Sequence, residues 1–170
     1  LLKSIYSANS TDVAPDMDVR TFDSLFKSIV DLNFDRFGFE SKPSLRVSNK
    51  KEYIDFVNKV ISDNGLKDSF SRYQKTEYLI RDVEGYLSGV QGNLINFDLL
   101  VDLLLEAQIK KNVIYNFVYL NLLVKNVMAE PNSWLKEDMI NKYKAILVDE
   151  FQDINRLQND TIGSLYNEKV

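Results

Sequence analysis

The 170-residue sequence contains neither cysteine nor histidine. Without cysteine there is no disulfide framework, no thiol nucleophile and no thiolate-held zinc, and the chain fits a reducing, cytoplasmic setting. Without histidine the commonest general base and metal ligand are gone. Any chemistry then falls to carboxylates, lysines, hydroxyls or a metal held by oxygen. Punctuation is also sparse, since six glycines and three prolines favour helices over many short strands. No apolar run reaches the length that spans a bilayer, and the longest, Leu99 to Leu105, is broken by Asp102, so no membrane partner is expected. A basic segment followed by an apolar stretch and a small-residue cleavage site is missing too, which argues against export. The formal net charge of -4 excludes an indiscriminate polyanion binder but leaves room for a local basic groove. The pairs Lys50-Lys51 and Lys110-Lys111 read as solvated helix surface.

What remains is a chain of ordinary globular composition, 45% hydrophobic and 27% charged, long enough for one domain with a sizeable core. Leu1 to Ala8 reads as the tail of a helix, and the opening Leu in place of Met puts the natural start upstream. A polar loop, Asn9 to Asp16, leads to the short segment Met17 to Phe22, after which Asp23-Ser24 opens a helix through Leu25, Phe26, Ile29, Val30 and Leu32. Phe37 to Ser48 is irregular around Pro43. Ser48 is the expected N-cap of a helix bearing Tyr53, Ile54, Val57, Val60 and Ile61, which stops at Asn64-Gly65. Further helices are expected over Ser71 to Leu87, Phe97 to Gln108, Tyr115 to Ala129, Trp134 to Asn141 and Asn155 to Tyr166. Gly85, Gly89 and Gly92 mark a helix end and a loop. The aromatic stripe of Tyr115, Phe117 and Tyr119 has the spacing of ordinary helix burial.

One segment breaks the helical pattern. Ala145-Ile146-Leu147-Val148 is a short continuous apolar run that ends in acid, the pattern of a strand buried on both faces of a parallel sheet. Its carboxylates, Asp149 and Glu150, would then stand at the C-terminal strand edge, where open α/β sheets bind ligands. Nucleotide hydrolysis needs two neighbouring acidic roles. One carboxylate holds Mg2+, and Asp149 suits that role. The other orients and deprotonates the attacking water, and Glu150 suits that one. Phosphoryl transfer depends mainly on positioning and charge neutralisation, so a histidine-free site is adequate. The alternative for a bare Asp-Glu pair is the start of a solvated loop.

Asp149-Glu150-Phe151-Gln152-Asp153-Ile154-Asn155 closely resembles the Walker B motif of UvrD/Rep-like superfamily 1 DNA helicases, usually Asp-Glu-Phe-Gln-Asp-Thr-Asn, with Ile154 in place of Thr. Thr21-Phe22-Asp23-Ser24 is similar to the family's Thr-Phe-His-Ser segment, which helps contact single-stranded DNA. Asp23 departs from the usual His there, and a carboxylate near phosphates is unfavourable. A Ser/Asp helix cap explains this segment equally well. Asn96-Phe97-Asp98-Leu99-Leu100 is similar to the stretch where the family's chain returns from a helical insertion to its core.

The resemblance implies an α/β fold, part of a RecA-like P-loop ATPase core with a mostly helical insertion, so predominantly α by content. It assigns residues 1–30 to the core, 31–92 to the insertion known as subdomain 1B, and 93–170 to the returning core with Walker B. Residue by residue it implies Asp149 as the Mg2+ ligand, Glu150 as catalytic base, Gln152 as γ-phosphate sensor and Asp153 as support for that nucleotide-binding network. Thr21, Phe22 and Ser24 would contact DNA. The implied cofactors are ATP and Mg2+, and the partners are single-stranded DNA and the remainder of the helicase chain. No Gly-x-x-x-x-Gly-Lys-Ser/Thr occurs; the family places that loop before Leu1 and its second RecA-like domain beyond Val170. The chain alone is therefore expected neither to hydrolyse ATP nor to unwind DNA. Two other readings stay open: a helicase-nuclease subunit of the AddA/RecB kind, and a non-enzymatic helical interaction module built on the aromatic helix.

Overall fold

The computed structural model describes residues 18–90 and 95–166. The expected helix and loop before Asp18, and Gly92, lie outside the described residues. Seven α-helices lie among those residues: α1 Phe22–Leu32, α2 Lys50–Asp63, α3 Thr76–Ser88, α4 Asp98–Lys111, α5 Phe117–Met128, α6 Trp134–Lys142 and α7 Arg156–Tyr166. Two short strands, β1 Ser44–Leu45 and β2 Val113–Ile114, pair in parallel with Ser44 opposite Val113. The chain is thus dominated by helix, as its few glycines and prolines imply.

Local chemistry fixes most helix ends. Thr21 caps α1 by accepting from the Ser24 amide, and Asn49, one residue after the expected Ser48, caps α2 by accepting from the Glu52 amide. Helix α2 stops at Asn64-Gly65 as its sequence requires, with Gly65 at φ +67°. Helix α3 ends at Gly89, whose φ is +82° and where a Cβ would fall 2.7 Å from the Arg156 Cβ. Only glycine satisfies both that left-handed backbone and the close approach of α7.

Helix α5 is the organising element. Eight of its residues are buried, from Val118 through Val124 and again at Met128, so it is enclosed on nearly every side rather than along one stripe. It packs against α1, α3, α6 and α7. Of the aromatic stripe, Phe117 is half-buried, and Tyr115 and Tyr119 are core at 1% and 0% exposure. Their polar ends are paired. Tyr53 donates to the Tyr119 hydroxyl at 2.8 Å, and Tyr115 donates to Glu52 at 2.8 Å. Glu52, bonded by Tyr115 and then by Lys111, is held down to about 2. Its share of stability is present above 4.5, the usual glutamate value, and is lost as pH falls toward the folded value.

Two expectations need correction. Ala145 to Val148 is not a strand but irregular chain, with Leu147 69% exposed. A backbone ladder needs a neighbour, and the only sheet among the described residues is β1 with β2. Conversely, β1 and β2 are strands that pattern reading does not find. Each is two residues long, and β1 sits in the irregular stretch around Pro43.

Gln108, 1% exposed, donates to the Leu104 carbonyl at 3.2 Å and accepts from the Tyr115 amide at 2.9 Å. Gln108→Leu keeps the bulk but leaves that buried amide unpaired, which costs about 1–3 kcal/mol. Leu99→Ala, at an exposed position, changes stability by less than about 0.5 kcal/mol. Urea unfolding followed by the fluorescence of Trp134 separates the two. Equal midpoints would contradict this account of the core.

Candidate functional site

The acidic segment folds as a tight turn. Asp149 Oδ1 accepts from the Glu150 amide at 3.0 Å, and Glu150 takes the left-handed φ of +50°. That conformation is uncommon for a side chain of this size and marks a locally constrained backbone. A single 3-10 turn, Phe151–Asp153, follows, in which the Asp153 amide donates to the Glu150 carbonyl at 2.8 Å. The Gln152 amide group donates to the Glu150 carboxylate. The turn therefore brings Glu150 and Gln152 together and sets Asp149 beside them in sequence, with all four polar side chains open to solvent.

Helix α7 is anchored directly behind the turn. Asn155 Oδ1 accepts from the Gln158 amide at 2.9 Å, and Gln158 Oε1 accepts from the Asn155 amide at 3.1 Å. This reciprocal capping box satisfies two helix-end donors at once. From there α7 runs onto α5 and onto α3, where Arg156 meets Gly89. The acidic turn is thus carried on a helix whose other contacts are with the centre of the fold.

The second candidate segment occupies the start of α1. Thr21 is spent on the helix cap, Phe22 packs on Phe26 with ring centroids 5.7 Å apart, and Ser24 is exposed. The helix begins at Phe22, so Asp23 and Ser24 lie inside its first turn instead of opening it. Along this helix runs a groove of about 590 Å³ bordered by Thr21, Asp23, Ser24, Lys27, Asp31 and Lys42. Lys27 and Lys42 both bind the Asp31 carboxylate, the latter at 3.0 Å. The two candidate segments are tied together just upstream of each, where the Tyr143 hydroxyl donates to Asp18 at 2.8 Å.

Sequence reasoning missed the residue that faces Asp23. Asn121 of α5 is 2% exposed, and its side-chain amide lies close enough to the Asp23 carboxyl to pull its pKa down. Neither Asp23 Oδ1 nor Asn121 Oδ1 has a hydrogen-bond partner among the described residues. Burial pushes the Asp23 carboxyl above its ordinary value, against the downward pull of the Asn121 amide. An Asn inside the apolar run from Val118 to Val124 was the available signal, because a polar group in a helix buried all round needs a partner.

Among the described residues no group of three or more acidic side chains is arranged to enclose a metal ion. A Mg2+ bound by one carboxylate and completed by phosphate oxygens and water needs no such cage. Asp149, exposed and with one oxygen engaged by an amide, fits that requirement. No helix among the described residues is long and apolar enough to cross a membrane.

The raised Asp23 carboxyl links stability to pH with a definite sign. Its contribution is fully present below the usual aspartate value of 3.8 and is lost as pH rises through the higher folded value. Asp23→Asn removes that loss. The variant should melt at a higher temperature than the parent at pH 8, with the gap closing toward pH 4. Identical melting temperatures across that range would contradict the burial of an ionisable carboxyl here.

No curated protein and no solved structure matches the chain. The family described as UvrD/REP helicase N-terminal domain, in contrast, matches residues 2–170, which is nearly the entire sequence. That match runs through both candidate segments and the helices between them, and the chain belongs to the UvrD/REP helicase N-terminal domain family.

Proposed function

We propose that this chain supplies the Walker B part of an ATP site and part of the DNA-contact surface of an ATP-dependent single-stranded DNA translocase or helicase. The observation that carries the reading is the turn from Asp149 to Asp153, where the Gln152 amide holds the Glu150 carboxylate inside a chain matched end to end by a helicase family. Residues 1–30 and 93–170 belong in this reading to a RecA-like core, with 31–92 as its helical insertion.

The roles follow from chemistry. Asp149 would hold Mg2+, which neutralises phosphate charge when bound. Glu150 accepts a proton from the water that attacks the γ-phosphate. Gln152 is bonded to that base and has an amide that can bond to a phosphate oxygen, so it can report the nucleotide state to Glu150. Asp153 steadies the turn through its backbone bond to Glu150. Thr21, Phe22 and Ser24 contact single-stranded DNA along the α1 groove. Helix α5 packs on both α1 and α7 and gives the two sites a shared rigid element.

The interaction-module reading drew on the aromatic stripe, whose Tyr115 and Tyr119 are buried in the core. A helicase-nuclease would use these residues identically, and degradation of duplex DNA by the intact protein would identify it.

In the intact protein, Glu150→Gln should lower DNA-stimulated ATP hydrolysis by about 10²- to 10⁴-fold, the usual weight of a general base, while nucleotide affinity persists. Gln152→Ala should bind ATP and lose stimulation by DNA. Unchanged turnover in Glu150→Gln would show the base assignment to be wrong.

A further inference from the structure

Asp23 stands where the resemblance calls for histidine, inside the groove assigned above to DNA. A solvated carboxylate there would repel phosphates. This one is only half solvated, because its Oδ1 is buried without a partner among the described residues and the residue as a whole is half-buried at the edge of the groove. The facing Asn121, 2% exposed, is in the same position, since its Oδ1 also lacks a donor. Two buried, orphaned acceptors on neighbouring residues leave this place short of hydrogen-bond donors. A proton on Asp23 supplies the missing donor and cancels the charge in a single step.

The surrounding charges do not supply an alternative. On its own helix Asp23 has Lys27 and Asp31 as neighbours in the groove, with Lys42 from the segment before β1. Both lysines are bound to Asp31. Helix α5 presents uncharged Asn121 and Phe117, and its one charged residue, Lys125, lies a turn beyond Asn121. The Phe34–Phe37 turn that packs on α1 carries Asp35 and Arg36, but beyond the opposite end of the helix. Burial raises the carboxyl, while the Asn121 amide and the positive end of α1, in whose first turn Asp23 lies, pull it down. An approaching phosphate would favour the neutral acid further, as any like charge does.

We propose that single-stranded DNA enters the α1 groove together with a proton on Asp23, so that affinity for DNA rises as pH falls. Asp23 then acts as a specificity element for an anionic backbone in its neutral form, with Asn121 as the residue that positions it. The inference rests on the assignment of this groove to DNA.

The test is the affinity of the intact protein for fluorescent oligo-dT, measured by anisotropy at fixed ionic strength from pH 5.5 to 8.5. The parent should weaken with rising pH by up to tenfold per unit, the slope of one linked proton. Asp23→Asn should bind more tightly than the parent at pH 8.5 and lose that slope. Calorimetry of the parent in buffers of different ionisation heat should register proton uptake on binding, which decides the matter even if the variant fails to fold. Equal slopes in parent and variant, or binding with no proton uptake, would overturn the proton linkage and leave DNA binding standing. Absence of oligo-dT binding at every pH would instead remove the DNA assignment itself.

Discussion

Burial of α5 on nearly its whole circumference is the constraint on which the rest of the structure depends. A helix enclosed in this way must find apolar neighbours all round, and α1, α3, α6 and α7 provide them. Two of those neighbours begin with the segments of functional interest. Helix α1 opens with Thr21 to Ser24, and α7 follows directly on the acidic turn. The acidic turn is exposed, whereas Phe22 and one oxygen of Asp23 reach into the core. Each segment inherits its position from a helix clamped to the same central rod, and their separation is set by side-chain packing rather than by flexible chain.

The polar groups admitted to this core are few and almost all paired. Gln108 bridges the end of α4 to the backbone that enters α5, and Tyr53 meets Tyr119 hydroxyl to hydroxyl. Asn116 both caps α5 and bonds Glu84 of α3 at 2.6 Å. Against that background the two orphaned oxygens of Asp23 and Asn121 stand out. They sit where the central helix meets the candidate DNA segment, so the least satisfied contact in the core coincides with a proposed working surface. Strain and unmet hydrogen bonds collect at such places because function, not stability, selects them.

Helix positions were legible because periodicity is local. The apolar spacing in α2 and α4, the stop at Asn64-Gly65 and the aromatic core of α5 all follow from patterns within a few residues. The acidic run was legible for the same reason, since Asp149 to Asp153 is contiguous. Three features depend on partners far away in sequence, and pattern reading cannot reach those. The Ala145 to Val148 run has the composition of a buried strand, yet composition does not supply a neighbouring ladder. The β1-β2 pair exists only because Asn112 and Ile114 offer carbonyls to Ser44 and Arg46 across the fold. Asn121 reads as one polar position among apolar ones, and its meaning appears only once Asp23 lies opposite. The tie between Tyr143 and Asp18 belongs to the same class.

The central claim is that α1 and α7 are held as one body through α5. Native-state hydrogen exchange tests it most directly. The amides of α5 from Leu120 to Val124 should exchange only with global unfolding, and those in the middle of α1 and α7 should share that free energy to within about 1 kcal/mol, as members of one cooperative unit. The irregular stretch from Ala145 to Val148 should exchange far faster. If α1 or α7 opens several kcal/mol below α5, the two segments are not fixed by a common core, and the account fails.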